Sequence, residues 1–325
     1  MPTNKHKQAP AAVAVAVAAL LAAAGAPAGA ALVTSTGAVA FSASASVTDD
    51  DTTAGATTAA GASLGSTSVQ RFDPALGVLV GATVQLQSTR THSTWVQSTA
   101  GGGTGANGDV TSSGTGSSSA RVSANGAQMD FGAITVDDSC DAKRKASCVG
   151  SASSTTVATN GSAAVATDAL GSYVGPGGVA IGRSAPTLSA QQTSDVFTGV
   201  ESTTATLAWS GSLSIDYKYL LHAAASFGAD AMLTVLDIDF GDVVQGSAAS
   251  VGFGLYNLAA AHRVGLDLDG VDASGDTDRL TTDLLLFDTL AAGSGHLFQA
   301  MFDTSAAGLF SASYLLHLSD ADVGA

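Results

Sequence analysis

The chain has 325 residues, with 12 basic and 27 acidic side chains, and its one glutamate is Glu201. A formal net charge of −15 argues against nucleic acid as a partner, because such a surface repels phosphate groups. Aspartate favours turns and loops whereas helical proteins carry glutamate, so the composition already favours an all-β fold.

Residues 1–30 have the pattern of a secretory signal peptide. Lys5 and Lys7 give a basic start, an apolar run follows at 11–24, and residues 28–30 read Ala-Gly-Ala, a small-residue cleavage site. The apolar run is shorter than the roughly 20 residues that span a bilayer. We therefore expect a mature chain of net charge −17 that begins near Ala31, since the signal carries two lysines and no acids. It should be secreted, extracellular or at the cell surface, without membrane insertion after signal removal.

Low-complexity sequence rich in Ala, Thr, Ser and Gly follows. It fills the N-terminal segment at residues 31–67 and returns at 98–120 and 150–168. Such stretches predict loops, linkers or weakly specified edge strands, because they offer little apolar surface to a core. Gly61 to Gly65 matches a nucleophile elbow and residues 103–108 match a dinucleotide fingerprint. Neither pattern precedes a helix, so neither predicts a site.

Period-two alternation of apolar and polar residues predicts strands with one buried face in several places. The expected inward residues are Val80, Ala82, Val84 and Leu86; Leu213, Ile215, Tyr217 and Tyr219; Leu236, Ile238 and Phe240; Val251, Phe253 and Leu255; Phe298, Ala300 and Phe302; and Phe310, Ala312, Tyr314, Leu316 and Leu318. Residues 282–290 are compatible with a short helix or a strand. Short strands separated by Gly, Asp and Ser turns are typical of antiparallel sandwiches.

The two cysteines, Cys140 and Cys148, lie eight residues apart. In an oxidising exterior they predict one disulfide, which would stabilise the fold by about 2.5 kcal/mol on the chain-entropy model. Half of a metal site is the alternative, although no histidine or second cysteine pair lies nearby in the sequence.

The stretch DLDGVDASGDTD, residues 267–278, contains five aspartates. Val264, Leu266 and Leu268 should face inward, so that Asp267 and Asp269 point to solvent. The stretch does not fit an EF-hand, which needs glycine at position 6 and glutamate at position 12. We predict a solvated acidic turn after an edge strand, with no required metal or cofactor. The alternative is a calcium site that uses Asp272, Asp276 and Asp278.

No constellation of catalytic residues emerges from the spacing. The histidines after the signal are scattered singly, and no pair of carboxylates is distinguished by its position. His317 falls on the polar face of its predicted strand. Trp95 and Trp209 are the tryptophans that would stack on a sugar if the chain bound carbohydrate.

Three segments resemble known bacterial surface domains. Residues 68–89, SVQRFDPALGVLVGATVQLQST, resemble the start of the choice-of-anchor E domain of exported proteins that often carry PEP-CTERM sorting tails, and residues 195–227 resemble its closing strands. Residues 236–259 resemble a second choice-of-anchor or Ig-like surface domain. The resemblance implies a first sandwich at 68–226 and a second at 227–325. It supplies no enzyme residues.

Such proteins normally continue into a membrane-anchoring tail, whereas this chain ends in SDADVGA. Whether it is anchored or released therefore stays open. We expect two tandem antiparallel β-sandwiches, of jelly-roll or Ig-like type, with long loops. The function we expect is that of a non-enzymatic cell-surface or extracellular-matrix protein, with exopolysaccharide or other surface components as partners. A carbohydrate-binding module and a secreted hydrolase are the alternatives.

Overall fold

The computed structural model describes residues 31–50, 57–59, 61–99, 110–142, 146–193 and 200–321, so the predicted signal peptide lies outside the described residues. Strands dominate this part of the chain and the two helical segments are short 3-10 helices, Pro74–Leu76 and Thr167–Tyr173. The strands are β1 (Leu32–Ser35), β2 (Val39–Asp49), β3 (Thr57–Ala59), β4 (Ala62–Gln70), β5 (Val78–Thr99), β6 (Val110–Ala124), β7 (Ala127–Ala142), β8 (Cys148–Val149), β9 (Ser153–Ala158), β10 (Gly161–Ala164), β11 (Gly178–Ala185), β12 (Leu188–Gln192), β13 (Val200–Leu220), β14 (Ala225–Ser226), β15 (Ala249–Asn257), β16 (Leu266–Gly275), β17 (Leu280–Thr282), β18 (Phe287–Leu290), β19 (Gly295–Phe302) and β20 (Ala312–Asp320). The all-β prediction is confirmed.

Strands β1 to β13 form two antiparallel sheets that enclose one core. In the seven-stranded sheet the long strands β5 and β13 pair along almost their whole length; β1 and β2 flank β13, and β8, β9 and β10 flank β5. The six-stranded sheet has the order β3-β12-β6-β11-β4, with β7 paired to β6. Because side chains alternate between the faces of each strand, every second residue of β5 and β13 points into the core.

The predicted alternation in β13 is confirmed, since Leu213, Ile215 and Tyr217 are buried. In β5 the prediction is correct from Ala82 onward and wrong at Val80. A register shift skips Val80, so that Lys218 pairs with Gly81 and Tyr219 pairs with Leu79. Leu79 therefore takes the buried position, because one extra residue in a strand reverses which side chains face inward.

Much of the low-complexity sequence forms strands instead of loops. Strands β2 and β4 are edge strands, which was one of the predicted alternatives. Strand β6 instead lies inside its sheet, with β7 on one side and with β11 and β12 on the other. Close packing against the opposite sheet explains the small residues of β6. A Cβ added at Gly114 would collide with Thr203, and one added at Gly116 would collide with Thr94. The facing sheets approach so closely here that larger side chains would not fit.

Strands β14 to β20 form two further antiparallel sheets. The four-stranded sheet has the order β14-β15-β19-β17 and the three-stranded sheet has the order β18-β16-β20. Leu255 and Phe298 of the first sheet are buried, as are Leu266, Leu268 and Leu290 of the second. These sheets share no strand with the N-terminal pair. Residues 31–325 form one compact unit, and the predicted division into domains at 226 and 227 stays a prediction.

The predicted strand at Leu236 to Phe240 is wrong. These residues alternate between half-buried and exposed side chains, as an extended segment does, but they belong to no strand. Alternation reports an extended backbone with one covered face, whereas a strand also needs a hydrogen-bonded neighbour. The region 282–290 adopts the extended alternative, with β17 ending at Thr282 and β18 beginning at Phe287.

A row of aromatic rings crosses the N-terminal core, and an arginine covers each end. The indole ring of Trp209 contacts Phe41 and Phe131 with centroid distances of 5.7 and 6.3 Å. The guanidinium of Arg183 lies 4.4 Å from the Phe41 ring centre, and that of Arg90 lies 5.7 Å from the Phe131 ring centre. Cation–π contacts of this kind strengthen when they are removed from water. We call these five side chains the aromatic row.

The aromatic row leads to a prediction about the two tryptophans. Trp209→Ala should lower the free energy of unfolding by roughly 3 to 5 kcal/mol, because it leaves a large cavity between the sheets. Trp95→Ala is the matched control, since Trp95 lies half-buried on the outer face of β5, where substitutions usually change stability by roughly 0.5 kcal/mol. Urea unfolding of both variants measures the difference, and equal losses would contradict the assignment.

Candidate functional site

A shallow polar groove of about 670 Å³ lies on the outer face of the seven-stranded sheet. Its lining residues are mainly hydroxyl, amide and carboxylate side chains: Ser35, Ala38, Gln85, Leu86, Gln87, Asn160, Gly161, Ser162, Ser212, Ser214 and Asp216. The volume falls within the range of roughly 300 to 1,000 Å³ that small-molecule sites occupy. We call this feature the polar groove.

The strand register brings distant parts of the sequence together in the polar groove. Gln85 of β5 pairs with Ser214 of β13 on one side and with Ser162 of β10 on the other. Gln87 pairs with Ser212 in the same way. Because side chains alternate along a strand, the inward neighbours fill the core while these polar residues share the outer face.

Hydrogen bonds fix two of the groove's polar side chains. The carboxylate of Asp216 accepts from Ser35 Oγ at 2.5 Å and from Gln85 Nε2 at 2.9 Å. Asn160 Oδ1 accepts from the Ser88 backbone N–H at 2.9 Å, which holds that amide at the rim. Fixed donors and acceptors lose little entropy on binding a polar ligand. The groove is therefore suited to a neutral, hydrogen-bonding ligand.

The two tryptophans lie on opposite faces of the seven-stranded sheet, Trp95 on the outer face and Trp209 in the core. The suggestion that Trp209 binds a sugar is wrong, because it is 1% exposed and its Nε1 donates to Ser88 Oγ at 2.9 Å within the core. Trp95 lies on the same outer face as Gln87, but eight residues further along β5, and it does not line the polar groove. Sequence reasoning missed the groove because its lining contains no aromatic residue and comes from four separate stretches of the sequence.

The acidic stretch at 267–278 is strand up to Gly275 and a turn follows at residues 276–279, so the predicted turn begins later than expected and the predicted edge strand is wrong. Residues up to Gly275 belong to β16, which is the central strand of its sheet. A register shift between Leu268 and Gly270 absorbs Asp269 and lets the pairing with β20 continue. The inward burial of Val264, Leu266 and Leu268 is as predicted.

The three candidate calcium ligands have separate partners. Asp272 Oδ2 lies 2.8 Å from His317 Nε2, Asp276 Oδ2 accepts from the Ser311 backbone N–H at 2.9 Å, and Asp278 lies 3.9 Å from Arg279 Nε. Within the described ranges, no group of three or more His, Cys, Asp or Glu side chains is placed to hold a metal ion. That the stretch requires no metal stays a prediction, which melting in calcium and in chelator would test.

The predicted disulfide between Cys140 and Cys148 is present. Both cysteines are buried against Val96 of β5, so the bridge ties β7 of one sheet to β8 of the other. Asp138 supports this corner, since its carboxylate accepts from the Val96 backbone N–H and from Ser153 Oγ, both at 3.0 Å. The alternative, in which these cysteines form half of a metal site, is thereby excluded.

The hydrogen-bonded pair of Ser118 and His92 is not accessible to a substrate. Ser118 Oγ lies 2.8 Å from His92 Nδ1, but both residues are completely buried between the sheets. Burial lowers the pKa of His92. Ser63 of the elbow-like sequence lies inside β4, opposite Ser184, and not at a strand-to-helix turn. Residues 103–108 lie outside the described residues.

His222 joins the N-terminal pair of sheets to the last strand of the chain. Its Nδ1 lies 2.6 Å from Asp320 Oδ2, and its Nε2 lies 2.7 Å from the Pro74 carbonyl oxygen. Both partners are acceptors, so both contacts are hydrogen bonds only when both ring nitrogens carry protons. Asp320, with help from the Pro74 carbonyl, raises the pKa of His222.

No protein-family model and no curated protein matches the chain. The resemblance to choice-of-anchor domains therefore stays a prediction that depends on the segments quoted above. Among the residues that the structure describes, no helix is long and apolar enough to cross a membrane.

The geometry of His222 generates a prediction about pH. Because folding raises the pKa of His222, its contribution to stability should be full below the unfolded value of about 6.5 and should be lost as the pH rises through the folded value. NMR titration of the imidazole should give a pKa above about 6.5. His222→Gln should flatten this part of the stability profile. A folded pKa at or below the ordinary value would contradict the assignment.

Proposed function

We propose that the chain is an exported, non-enzymatic protein of the cell surface or extracellular matrix, built from a choice-of-anchor E-like domain and an Ig-like domain. The observation that carries the export part of this proposal is the closed bridge between Cys140 and Cys148. Structural disulfides persist in oxidising compartments and are rare in reducing ones. The signal-like pattern at residues 1–30 supports the same compartment.

The non-enzymatic part of the proposal is supported by the chemistry of the polar groove. Its lining offers hydroxyls, amides and the carboxylate of Asp216, whose oxygens are held by Ser35 and Gln85. Catalysis by general acid and base would need groups poised to exchange protons at a substrate. An arrangement of fixed hydrogen-bonding groups is suited to recognition, as a surface or matrix protein requires.

Expression of the full chain in a bacterial host tests the export proposal. The protein should be recovered from the cell exterior with an N-terminus near Ala31, and the non-reduced peptide that joins Cys140 and Cys148 should be lighter by the mass of two hydrogens. Replacing both cysteines with serine should lower the free energy of unfolding by about 2.5 kcal/mol. Retention in the cytoplasm or free thiols in the native protein would count against the proposal, and so would hydrolytic turnover of polysaccharide or peptide substrates.

A carbohydrate-binding module is the second candidate function, and the polar groove is the observation that favours it. Sugar hydroxyls both donate and accept hydrogen bonds, and the groove presents acceptors at Asp216 with amides and hydroxyls around them. Without an aromatic platform in the groove, affinity would come from hydrogen bonds that compete with water, so each contact between neutral groups would add only about 1 kcal/mol. Neutral exopolysaccharide is therefore the expected ligand class, bound weakly and at many sites along the polymer.

A neutral glycan array followed by calorimetric titration tests the second candidate. Asp216→Ala should weaken binding of any selected oligosaccharide at least about tenfold, since it removes a group worth roughly 1.5 to 3 kcal/mol in charge-assisted hydrogen bonds. Asp137→Ala is the matched control. Asp137 is an exposed carboxylate on the outer face of β7 that also accepts a cross-strand hydrogen bond, from Thr115. If no neutral glycan binds, or if both variants lose binding equally, the groove is not the site.

A further inference from the structure

The C-terminal part of the chain carries most of the negative charge. Residues 227–325 contain fourteen aspartates and two arginines, whereas residues 31–226 contain thirteen acidic and eight basic side chains. The net charge is therefore −12 in the last 99 residues and −5 in the preceding 196. Such a region attracts cationic partners and repels a second copy of itself.

Strand β20 forms an open edge within this acidic region. Its nine residues pair with β16 on one side, and no other strand among the described residues pairs with it. Natural edge strands are usually protected by lysine, proline or short length. From Ala312 to Asp320 the sequence contains no lysine or proline, and its one acidic residue is the last. Unpaired main-chain donors and acceptors along such an edge are a template for another strand.

The inner face of β20 is incompletely covered. Tyr314, Leu316 and Leu318 point to the same side as the core but remain only half-buried. By contrast, Leu266 and Leu268 of the neighbouring strand β16 are almost completely buried. The difference arises at the edge, where β20 lacks a neighbour whose side chains would pack against its own. A further strand with apolar residues at alternate positions would complete this layer.

The outer face of β20 combines an exposed apolar side chain with a carboxylate. Leu315 is 62% exposed and lies directly opposite Asp272 of β16. The side chain of Asp272 is 74% exposed, and its Oδ2 contacts His317 Nε2. A long basic side chain on an added strand would extend over Leu315 and His317 toward this carboxylate on the outer face, where charge attraction guides the partner's approach.

We propose that β20 is the docking edge for an extended segment of a partner protein in which apolar and basic side chains alternate. The main chain of that segment pairs with the open edge, its apolar side chains cover Tyr314, Leu316 and Leu318, and its basic side chains extend across the outer face of β20 toward Asp272. Strand addition of this kind takes affinity from main-chain hydrogen bonds and specificity from the alternate side chains.

Synthetic peptides test the proposal on the folded mature chain. The probes are a nine-residue peptide that alternates lysine and valine, the same peptide with glutamate for lysine, and a block peptide with all lysines before all valines. Fluorescence anisotropy measures binding, and hydrogen exchange locates it. The alternating lysine peptide should bind at least tenfold more tightly than either control and should slow exchange between residues 312 and 320. Equal binding of the alternating and block peptides would show that charge alone determines binding, and it would overturn the proposal.

Two exposed positions supply matched variants that leave the core intact. Leu315→Lys adds a like charge beside the docking edge and should weaken binding of the alternating lysine peptide at least tenfold. Leu297→Lys adds the same charge on the outer face of β19, where the leucine is 79% exposed, and should change binding less than threefold. Equal weakening in both variants would overturn the proposal. Protection of 312–320 that grows with protein concentration in the absence of peptide would do so too, because the occupant would then be a second copy.

Discussion

The contact between Trp209 and Phe131 spans the two N-terminal sheets at the centre of their core, and Phe41, from the strand next to Trp209, packs against the same indole ring. The three rings come from β2, β13 and β7, so the contact joins both sheets. The indole N–H needs an acceptor in this position, and Ser88 supplies one from β5. Both buried guanidiniums lie against aromatic faces. Arg90 also donates hydrogen bonds to the Thr159 side chain and to the Gly132 carbonyl oxygen. These hydrogen bonds replace the water that its guanidinium group loses on burial.

Away from the aromatic row the core changes character, because the two sheets come closer together. Gly114 and Gly116 leave room there for Thr203 and Thr94, and His92 and Ser118 are buried as a hydrogen-bonded pair. Small and polar residues replace large apolar ones in the contact layer. The core therefore tapers from aromatic to polar packing, and the low-complexity sequence is what allows the narrow part to close.

A structural feature could be predicted from the sequence when the residues that determine it lie close together in the chain. The inward residues of β13, the start of β16 and the disulfide follow from local alternation or spacing. The position of β6 inside its sheet does not follow from the local sequence, because only contacts with the opposite sheet explain its glycines. The extent of β16 depends on one register shift at Asp269. The polar groove was not predictable at all, since its walls come from four separate regions of the sequence.

The family resemblance and the structure bear on different questions. The quoted segments suggest which surface proteins this chain resembles, while the sheets show which of its faces are free to contact other molecules. The polar groove and the edge of β20 lie on different sheets, and they differ in chemistry. One offers fixed hydrogen-bonding side chains and the other offers unpaired main chain. The two proposed binding sites therefore lie at separate positions on the molecule and differ in the chemistry of the ligand that each would take.

The pairing of β1 with β13 has a mechanical consequence. Leu32, next to the expected mature N-terminus, lies opposite Tyr219, where the chain leaves the N-terminal sheets. Tension applied between the N-terminus and the C-terminal sheets therefore acts at one end of this four-residue ladder, and it opens the pairs one after another. We therefore expect β1 to separate from β13 first, because pairs that are loaded from one end open singly, at lower force than pairs that share the load along a whole ladder.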